Sequence, residues 1–513
     1  MDLKECREQI DRIDEQLSRL LQERLDVSGE VIRYKEKHGL PILDKTREEE
    51  KIRTLRLLWE EEKAPYVERL FQDIMRESRA WQEDHRVVYG LLGDKLGHSH
   101  SPAVHRMLGD YEYGLFERDP GQLESFFAEY PFRGISVTMP HKKTVMDYCG
   151  EISPKASACG SVNTIVRRED GSLYGANTDY DGFRFTVESS GIDIRGAKAM
   201  VLGSGGVSGT VVQVLRDLGA DPVVVVSRSG PVTYEDLDEH NDAEIIVNAT
   251  PVGMFPRAGE APVDLQRFSR LKAVYDLIYN PLRTKLMLDA ERLGIPAFGG
   301  LPMLVAQAAE ACRLFAELGG GEDIHLPADP GEMKKRTETV IRDLERERTD
   351  ILLIGMPGAG KTTVGDALGR ILERPFADLD EEVVRVEGRT PEELIRREGE
   401  DAFRNMETET LRRLVRGEGA AAGRIIACGG GIVEREENRD LLRENGQVVW
   451  IRRPLEELPV EGRPLSQQGR LEELYERRRE KYAGWSDLTV DNDDPEEAAN
   501  RIAEWFRGER REP

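Results

Sequence analysis

Three stretches of the sequence combine residue types that could do chemistry. "GMPGAGKT" (355–362) fits GxxxxGK[ST]. In such a loop the backbone N–H groups around Gly355, Gly358 and Gly360 cradle phosphates, Lys361 reaches the β/γ oxygens, and the Thr362 hydroxyl ligates Mg²⁺. "VLGSGGVSG" (201–209) follows an apolar run and opens a helical one, where a dinucleotide pyrophosphate meets a helix N-terminus. Gly203 and Gly205, with Gly206 beside them, match GxGxxG, but Ser208 stands in the third place with Gly209 after it. The next apolar run ends in Ser227, Arg228 and Ser229, with no acid to hold a ribose 2′-hydroxyl; an arginine there suits a 2′-phosphate. The third stretch holds Arg24 on a stripe otherwise apolar: Leu3, Cys6, Ile10, Ile13, Leu17, Leu20, Val27 and Val31. A charge buried there needs a counter-ion, either a glutamate of the same chain or an anionic ligand.

The elements that position these residues follow from periodicity. Steps alternating three and four along the stripe make residues 3 to about 38 one long helix with a narrow seam. Thr46 and Glu49 have capping-box spacing for a second helix, and Pro65 opens a third, whose inner face carries Ser78 and Gln82 at i, i+4. Three helices, one spanning about 50 Å at 1.5 Å per residue, cannot enclose a compact core, so the seam should pair with another chain. From Val87 onward, apolar runs alternate with helical segments, which predicts parallel sheets covered by helices. A new strand opens at "DILLIG" (350–355), after a charged helix over 332–347.

Composition sets outer limits. A length of 513 residues suggests three domains at about 150 residues each. Five scattered cysteines (6, 149, 159, 312, 428) read as reduced thiols rather than disulfides or a zinc site. A net charge of −24 argues against nucleic-acid binding. No apolar run approaches 18 residues and the N-terminus is charged from its second residue, so the expectation is a cytoplasmic protein without a membrane segment.

Residues 1–85 resemble the all-helical chorismate mutases, through "REQID", "ERL", "YK", "LDKTRE" and "ESRAWQ". The resemblance implies rearrangement of chorismate to prephenate without a cofactor. Arg7, Arg24 and Arg47 would clamp the two carboxylates, Lys35 and Gln82 would donate to the ether oxygen, and Asp44, Glu48 and Ser78 complete the set. It also implies a homodimer through residues 1–85 in which each site takes Arg7 from the other chain. A non-catalytic dimerisation or regulatory module binding prephenate or chorismate is the alternative.

Residues 86–347 resemble shikimate dehydrogenase, through "GHSHSPAVH", "SVTMPHKK", "SVNTI", "NTDYDG" and "LPMLVAQAA". The implied fold is two-lobed α/β: a substrate lobe (86–190), a Rossmann NADP lobe (191–300) and C-terminal helices (301–347). Ser99, Ser101, Thr138, Asn163 and Gln307 would hold the hydroxyls and carboxylate of 3-dehydroshikimate or shikimate, with Tyr279 nearby. Lys142 and Asp179 would form the catalytic pair. Ser136 departs from the asparagine that many members carry, and a related quinate-using dehydrogenase is the rival. Residues 348–513 resemble the α/β P-loop shikimate kinases, through "FADLDEE", "EDAFRNME", "ACGGGIV", "GRPL" and "RRREKY". That implies ATP and Mg²⁺, with Asp380 orienting the accepting hydroxyl and Asp378 supporting the metal. Arg404, Arg478 and Gly429, Gly430 and Gly431 would bind shikimate, and Arg463 would come from a lid. The whole is expected to be a multidomain enzyme of aromatic amino-acid biosynthesis.

Overall fold

The computed structural model describes residues 2–38, 40–84, 86–97, 99–321, 324–416, 423–458 and 468–508. The chain divides into two compact units, one made of residues 1–182 and 306–337, the other of 183–305 and 338–513.

The first unit begins with three helices: α1 (Leu3–His38), α2 (Lys45–Arg56) and α3 (Ala64–Asp84). The long seam helix is present, and its stripe is open: Leu3, Ile10, Ile13, Leu17, Leu20 and Val27 are between 47% and 68% exposed. The start of α2 differs from expectation. Asp44, not Thr46, is the N-cap, and its carboxylate accepts from the Arg47 N–H. A carboxylate two residues earlier satisfies the orphan amide and also suits the positive end of the helix dipole.

The helices lead into a six-stranded sheet of β1 (Tyr89–Gly93), β2 (Gly114–Glu117), β3 (Gly134–Val137), β4 (Glu151–Ile152), β5 (Thr164–Arg167) and β6 (Leu173–Ala176), ordered β2-β1-β3-β5-β6-β4. Here the all-parallel expectation fails, because β5 runs antiparallel to both β3 and β6. The short 168–172 connection between β5 and β6 turns at Gly171, with φ +83°, and so short a link joins only antiparallel neighbours.

The second unit holds two sheets that are parallel throughout. One consists of β7 (Ala199–Leu202), β8 (Val223–Val226), β9 (Ile245–Asn248), β10 (Ala273–Asp276) and β11 (Ala297–Phe298), ordered β11-β10-β9-β7-β8. The other consists of β12 (Asp350–Ile354), β13 (Phe376–Asp378), β14 (Ile425–Ala427), β15 (Gly446–Arg452) and β16 (Leu488–Asp491), ordered β13-β14-β12-β15-β16. In the central strand β12, Ile351, Leu352, Leu353 and Ile354 are all fully buried, as a strand covered on both faces requires. Each such side chain contributes roughly 1.5–3 kcal/mol of burial. In both sheets the neighbours of the first strand lie on opposite sides of it, so a crevice opens at the carboxyl ends of β7 and β12.

Candidate active sites

In the helical segment the Arg24 guanidinium donates to Ser78 Oγ, and that hydroxyl donates to the Ile74 carbonyl at 2.8 Å. Burial lowers the Arg24 pKa, with the Glu48 carboxylate opposing. Glu48 is engaged elsewhere: Arg79 Nη1 reaches both its oxygens, at 2.5 and 2.6 Å. Among the described residues Arg24 forms no ion pair, and Glu48 acts on it only through its charge. Lys35 Nζ donates to the Ile42 carbonyl at 2.6 Å. Gln82 is buried, and its Oε1 has no hydrogen-bond partner among the described residues. An unsatisfied buried amide oxygen costs about 1–3 kcal/mol, so the bundle lacks a complement here. Arg7 and Arg47 are exposed. Arg7 lies about 26 Å from Arg24 along α1 at 1.5 Å per residue, so one chain does not bring the two together.

In the six-stranded sheet, β3 aims the segment that follows it at the start of helix Thr178–Ser189. Lys142 Nζ meets Asp179 Oδ2 at 2.5 Å, the two side chains being 16% and 11% exposed. A lysine so little exposed and paired with one carboxylate is held at a fixed point, unlike a solvated surface lysine. Asn163 Oδ1 accepts from the Thr178 N–H at 2.6 Å, and Thr178 Oγ1 donates to Gln307 Oε1 at 3.4 Å. Asn163 and Gln307 are thereby joined through Thr178, which the sequence reading left out; its place next to Asp179 in "NTD" is the signal. Ser99 Oγ accepts from the Ser101 N–H at 3.2 Å, and Thr138 directly follows β3. Ser136 lies on β3 itself, buried beside Tyr113.

In the sheet containing β7, Gly203 has φ +105°, and a Cβ there would come within 2.9 Å of Thr250 Cγ2 and 3.0 Å of the Ala249 carbonyl. Only glycine fits this turn. Beside Gly205 and Gly206 a Cβ would meet nothing within 4 Å, and helix Ser208–Asp217 has no side-chain N-cap. The open backbone amides suit a pyrophosphate. Ser227 is buried at the end of β8, whereas Arg228 and Ser229 are exposed, and Arg228 forms no ion pair among the described residues. Tyr279 follows β10 in a partly buried position, where burial raises its pKa against the charge of Arg348.

The third site gathers at the carboxyl ends of β12, β13 and β14. Gly355, Gly358 and Gly360 have φ of +145°, +86° and +89°, the left-handed values that a tight glycine turn requires. Lys361 Nζ donates to the Gly355 and Met356 carbonyls at 3.0 Å each. Thr362 Oγ1 donates to Asp378 Oδ2 at 2.7 Å, and Asp378 caps helix Leu379–Glu387 through the Asp380 N–H. Asp380 lies against Gly429, whose added Cβ would be 2.9 Å from Asp380 Oδ1. Gly430 abuts Pro357 of the phosphate loop, and Gly431 lies under the Arg404 guanidinium. Arg478 is 2% exposed, while its neighbours Arg477 and Arg479 are 57% and 50% exposed; it donates to Glu434 Oε1 at 2.6 Å and to the Gly430 carbonyl at 3.0 Å. The buried arginine of "RRREKY" is therefore Arg478. Arg463 lies outside the described residues.

Sequence reasoning missed Glu407 and Glu434. Glu407 is fully buried and accepts from Arg404 Nη1 at 2.8 Å. Burial pushes its carboxyl pKa up, with Arg404 opposing. The i, i+3 spacing from Arg404 was its available signal.

The family model for the shikimate dehydrogenase substrate binding domain matches residues 91–165. A shikimate dehydrogenase (NADP(+)) of Clostridium beijerinckii is 36% identical over 249 residues, which are 45% of this chain and 92% of that protein. The chain belongs to the shikimate dehydrogenase family. A shikimate dehydrogenase (NADP(+)) of Methanopyrus kandleri is 37% identical over 260 residues, 44% of this chain and 89% of that one. Among solved structures, a chorismate mutase/shikimate 5-dehydrogenase fusion protein from Clostridium acetobutylicum is 33% identical, with a TM-score of 0.45, over 50% of this chain and 97% of that chain. The shikimate dehydrogenase portion is flanked on both sides. The chorismate mutase type II model matches residues 6–83 and the shikimate kinase model residues 357–507. The chain is thus a multifunctional enzyme of the shikimate pathway, combining domains for all three enzymes.

The nucleotide groups that these families use fit the residues present. The uncapped helix and open glycine backbone at 203–206, with the acid-free Arg228, suit NADP(H). The glycine-lined loop with Lys361, Thr362 and Asp378 suits ATP and Mg²⁺. Magnesium is commonly held by few protein ligands plus substrate phosphates. Among the described residues no helix is long and apolar enough to cross a membrane.

Proposed function

We propose that the chain catalyses three reactions, converting chorismate to prephenate, 3-dehydroshikimate to shikimate with NADPH, and shikimate to shikimate 3-phosphate with ATP and Mg²⁺. The observation that carries this reading is the nearly buried Lys142–Asp179 pair, because a lysine fixed by one carboxylate can hand a proton to a defined oxygen. NADPH, when bound, supplies the hydride to the carbonyl carbon. Lys142 gives its proton to the carbonyl oxygen, and Asp179 orients the ammonium. Ser99, Ser101, Thr138, Asn163, Tyr279 and Gln307 hold the substrate, while Gly203, Gly205, Gly206, Ser227, Arg228 and Ser229 hold the dinucleotide.

In the kinase domain Asp380 accepts the proton of the attacking hydroxyl, and Arg404, Arg478 and Gly429–Gly431 seat shikimate. Lys361 and Arg463 stabilise phosphoryl charge, and Thr362 with Asp378 supports Mg²⁺. In the helical domain Arg24, Arg47 and the partner subunit's Arg7 clamp the carboxylates. Lys35 and Gln82 donate to the ether oxygen as its bond breaks, and Asp44, Glu48 and Ser78 are further substrate-binding residues. The exposed seam of α1 supports a homodimer through residues 1–85, in a cytoplasmic protein. Among the described residues no carboxylate pairs with Arg24, which favours an anionic ligand over a purely structural role for this domain.

The test is to assay the purified full chain with chorismate, 3-dehydroshikimate and shikimate. Turnover of all three is expected. Binding of chorismate without turnover would make the helical domain a sensor, and preference for quinate over shikimate would overturn the dehydrogenase assignment.

A further inference from the structure

The loop between β10 and helix Lys285–Arg292 carries Tyr279, and it is stitched on both flanks to the kinase part of the same compact unit. On one flank Arg348, the last residue of helix Pro330–Arg348, holds its guanidinium carbon 5.8 Å from the centroid of the Tyr279 ring. Its Nη1 donates to the Tyr279 carbonyl at 3.4 Å. Two residues on, the Asp350 N–H opens β12 and donates to the Asn445 carbonyl at 2.9 Å. On the other flank the Leu282 N–H donates to Asn445 Oδ1 at 2.8 Å, and the Arg283 N–H donates to the Glu444 carbonyl at 2.8 Å. The Arg283 guanidinium donates to the Gly446 carbonyl at the start of β15. Asn445 therefore closes a ring of contacts that runs from Tyr279 through Arg348, Asp350 and Asn445 back to Leu282.

We infer that Arg348, borne by the helix that leads into the first kinase strand, is a positioning residue of the dehydrogenase, setting the Tyr279 loop for shikimate. This rests on the reading of Tyr279 as a substrate residue. The contact combines a cation over the ring with a charge-assisted hydrogen bond to the carbonyl of the same residue. It fixes both the side chain and the backbone of Tyr279. Arg283 anchors the loop four residues further on, so the loop has no free end. The kinase domain in this way serves as a structural part of the dehydrogenase.

The test uses the full chain carrying Arg348→Ala, Tyr279→Phe or both, together with Arg283→Ala. Dehydrogenase kinetics are read against shikimate and NADP, and the kinase rate reports folding of β12. Arg348→Ala and Arg283→Ala are each expected to raise the KM for shikimate about fivefold, with kcat and the KM for NADP within twofold and the kinase unchanged. Arg348→Lys should recover part of the loss. Tyr279→Phe should raise the same KM, and adding Arg348→Ala to it should raise it little further, since both act through one side chain. An unchanged KM in Arg348→Ala beside an impaired Tyr279→Phe overturns the inference alone. A neutral Tyr279→Phe overturns the reading of Tyr279 itself. Fully multiplicative effects in the double variant also overturn the inference. If Arg348→Ala lowers the kinase rate, Arg283→Ala decides the matter by the same KM criterion.

Discussion

In the kinase domain Arg478 is 2% exposed and its guanidinium is held by Glu434 and the Gly430 carbonyl, all within one chain. In the helical domain Arg24 has a hydroxyl for a partner, the Gln82 oxygen has none among the described residues, and Leu20 nearby on α1 is 61% exposed. The proposed function gives the arginines of both regions an anionic substrate to meet. The kinase closes its site with its own sheet, whose β12, β13 and β14 deliver the phosphate loop, Asp378 and the glycines to one edge. The bundle of three helices has no such sheet, and the proposed function draws the rest of its site from a second chain. A site finished inside one chain should tolerate dilution and fail only through its own residues; an unfinished site should be rescued or lost through a second chain.

The sharpest test on the kinase side is Asp380→Asn. We expect a loss of phosphoryl transfer of roughly 10²- to 10⁴-fold, as for removal of a general base, with ATP binding kept. Hydride transfer and mutase turnover should stay at wild-type rates in the same preparation. Full kinase activity in that variant would show that Asp380 does not face the acceptor.

Next in size come Arg7→Ala and Arg24→Ala. Each should lower mutase activity by roughly 10²- to 10³-fold, the effect of leaving a buried carboxylate without its cation. Co-expressed, the two variants form heterodimers with one doubly mutated and one intact site, so about half the wild-type activity per heterodimer should return. Heterodimers that stay inactive would place Arg7 in its own chain's site and remove the contrast between the regions.

A smaller effect is expected from Arg228→Ala, which takes a charge-assisted partner from a 2′-phosphate. The KM for NADPH should rise about tenfold while that for NADH hardly moves, a difference of about 1.4 kcal/mol. Equal losses with both cofactors would refute the role of Arg228.

The last effect concerns the buried core of the kinase. Burial raises the Asp350 carboxyl pKa to about 6 at the start of β12. The folded state then holds a proton more tightly than the unfolded chain, so stability contributed by the neutral acid is present below the unfolded pKa and is lost as pH rises through about 6. Asp350→Asn keeps the neutral form at all pH. It should stabilise the kinase domain at pH 7.5 and leave it unchanged below pH 4, measured as the shift in its urea midpoint. A constant difference across that range would mean Asp350 is ionised throughout.

How much could be read in advance depended on how local the signal was. The phosphate loop was legible from "GMPGAGKT" because glycine φ values and the following helix are properties of eight neighbouring residues. The seam of α1 was legible because a 3–4 repeat survives any tertiary context. The capping box at Thr46 was misplaced because Asp44 offers the same chemistry two residues earlier, and only the path of the backbone chooses between them. The antiparallel β5 was missed because an apolar run does not state its direction.

The sequence by itself determined the phosphate loop, the order of the three domains and the apolar stripe of the long helix, since composition, spacing and periodicity carry that information. Only the tertiary structure decided which arginine of "RRREKY" is buried, that Glu407 holds Arg404 and that Thr178 links Asn163 to Gln307. It alone brought Arg348 against the ring of Tyr279. Those contacts join residues whose distance in space is set by sheet order and burial, and neither can be read from separation along the chain.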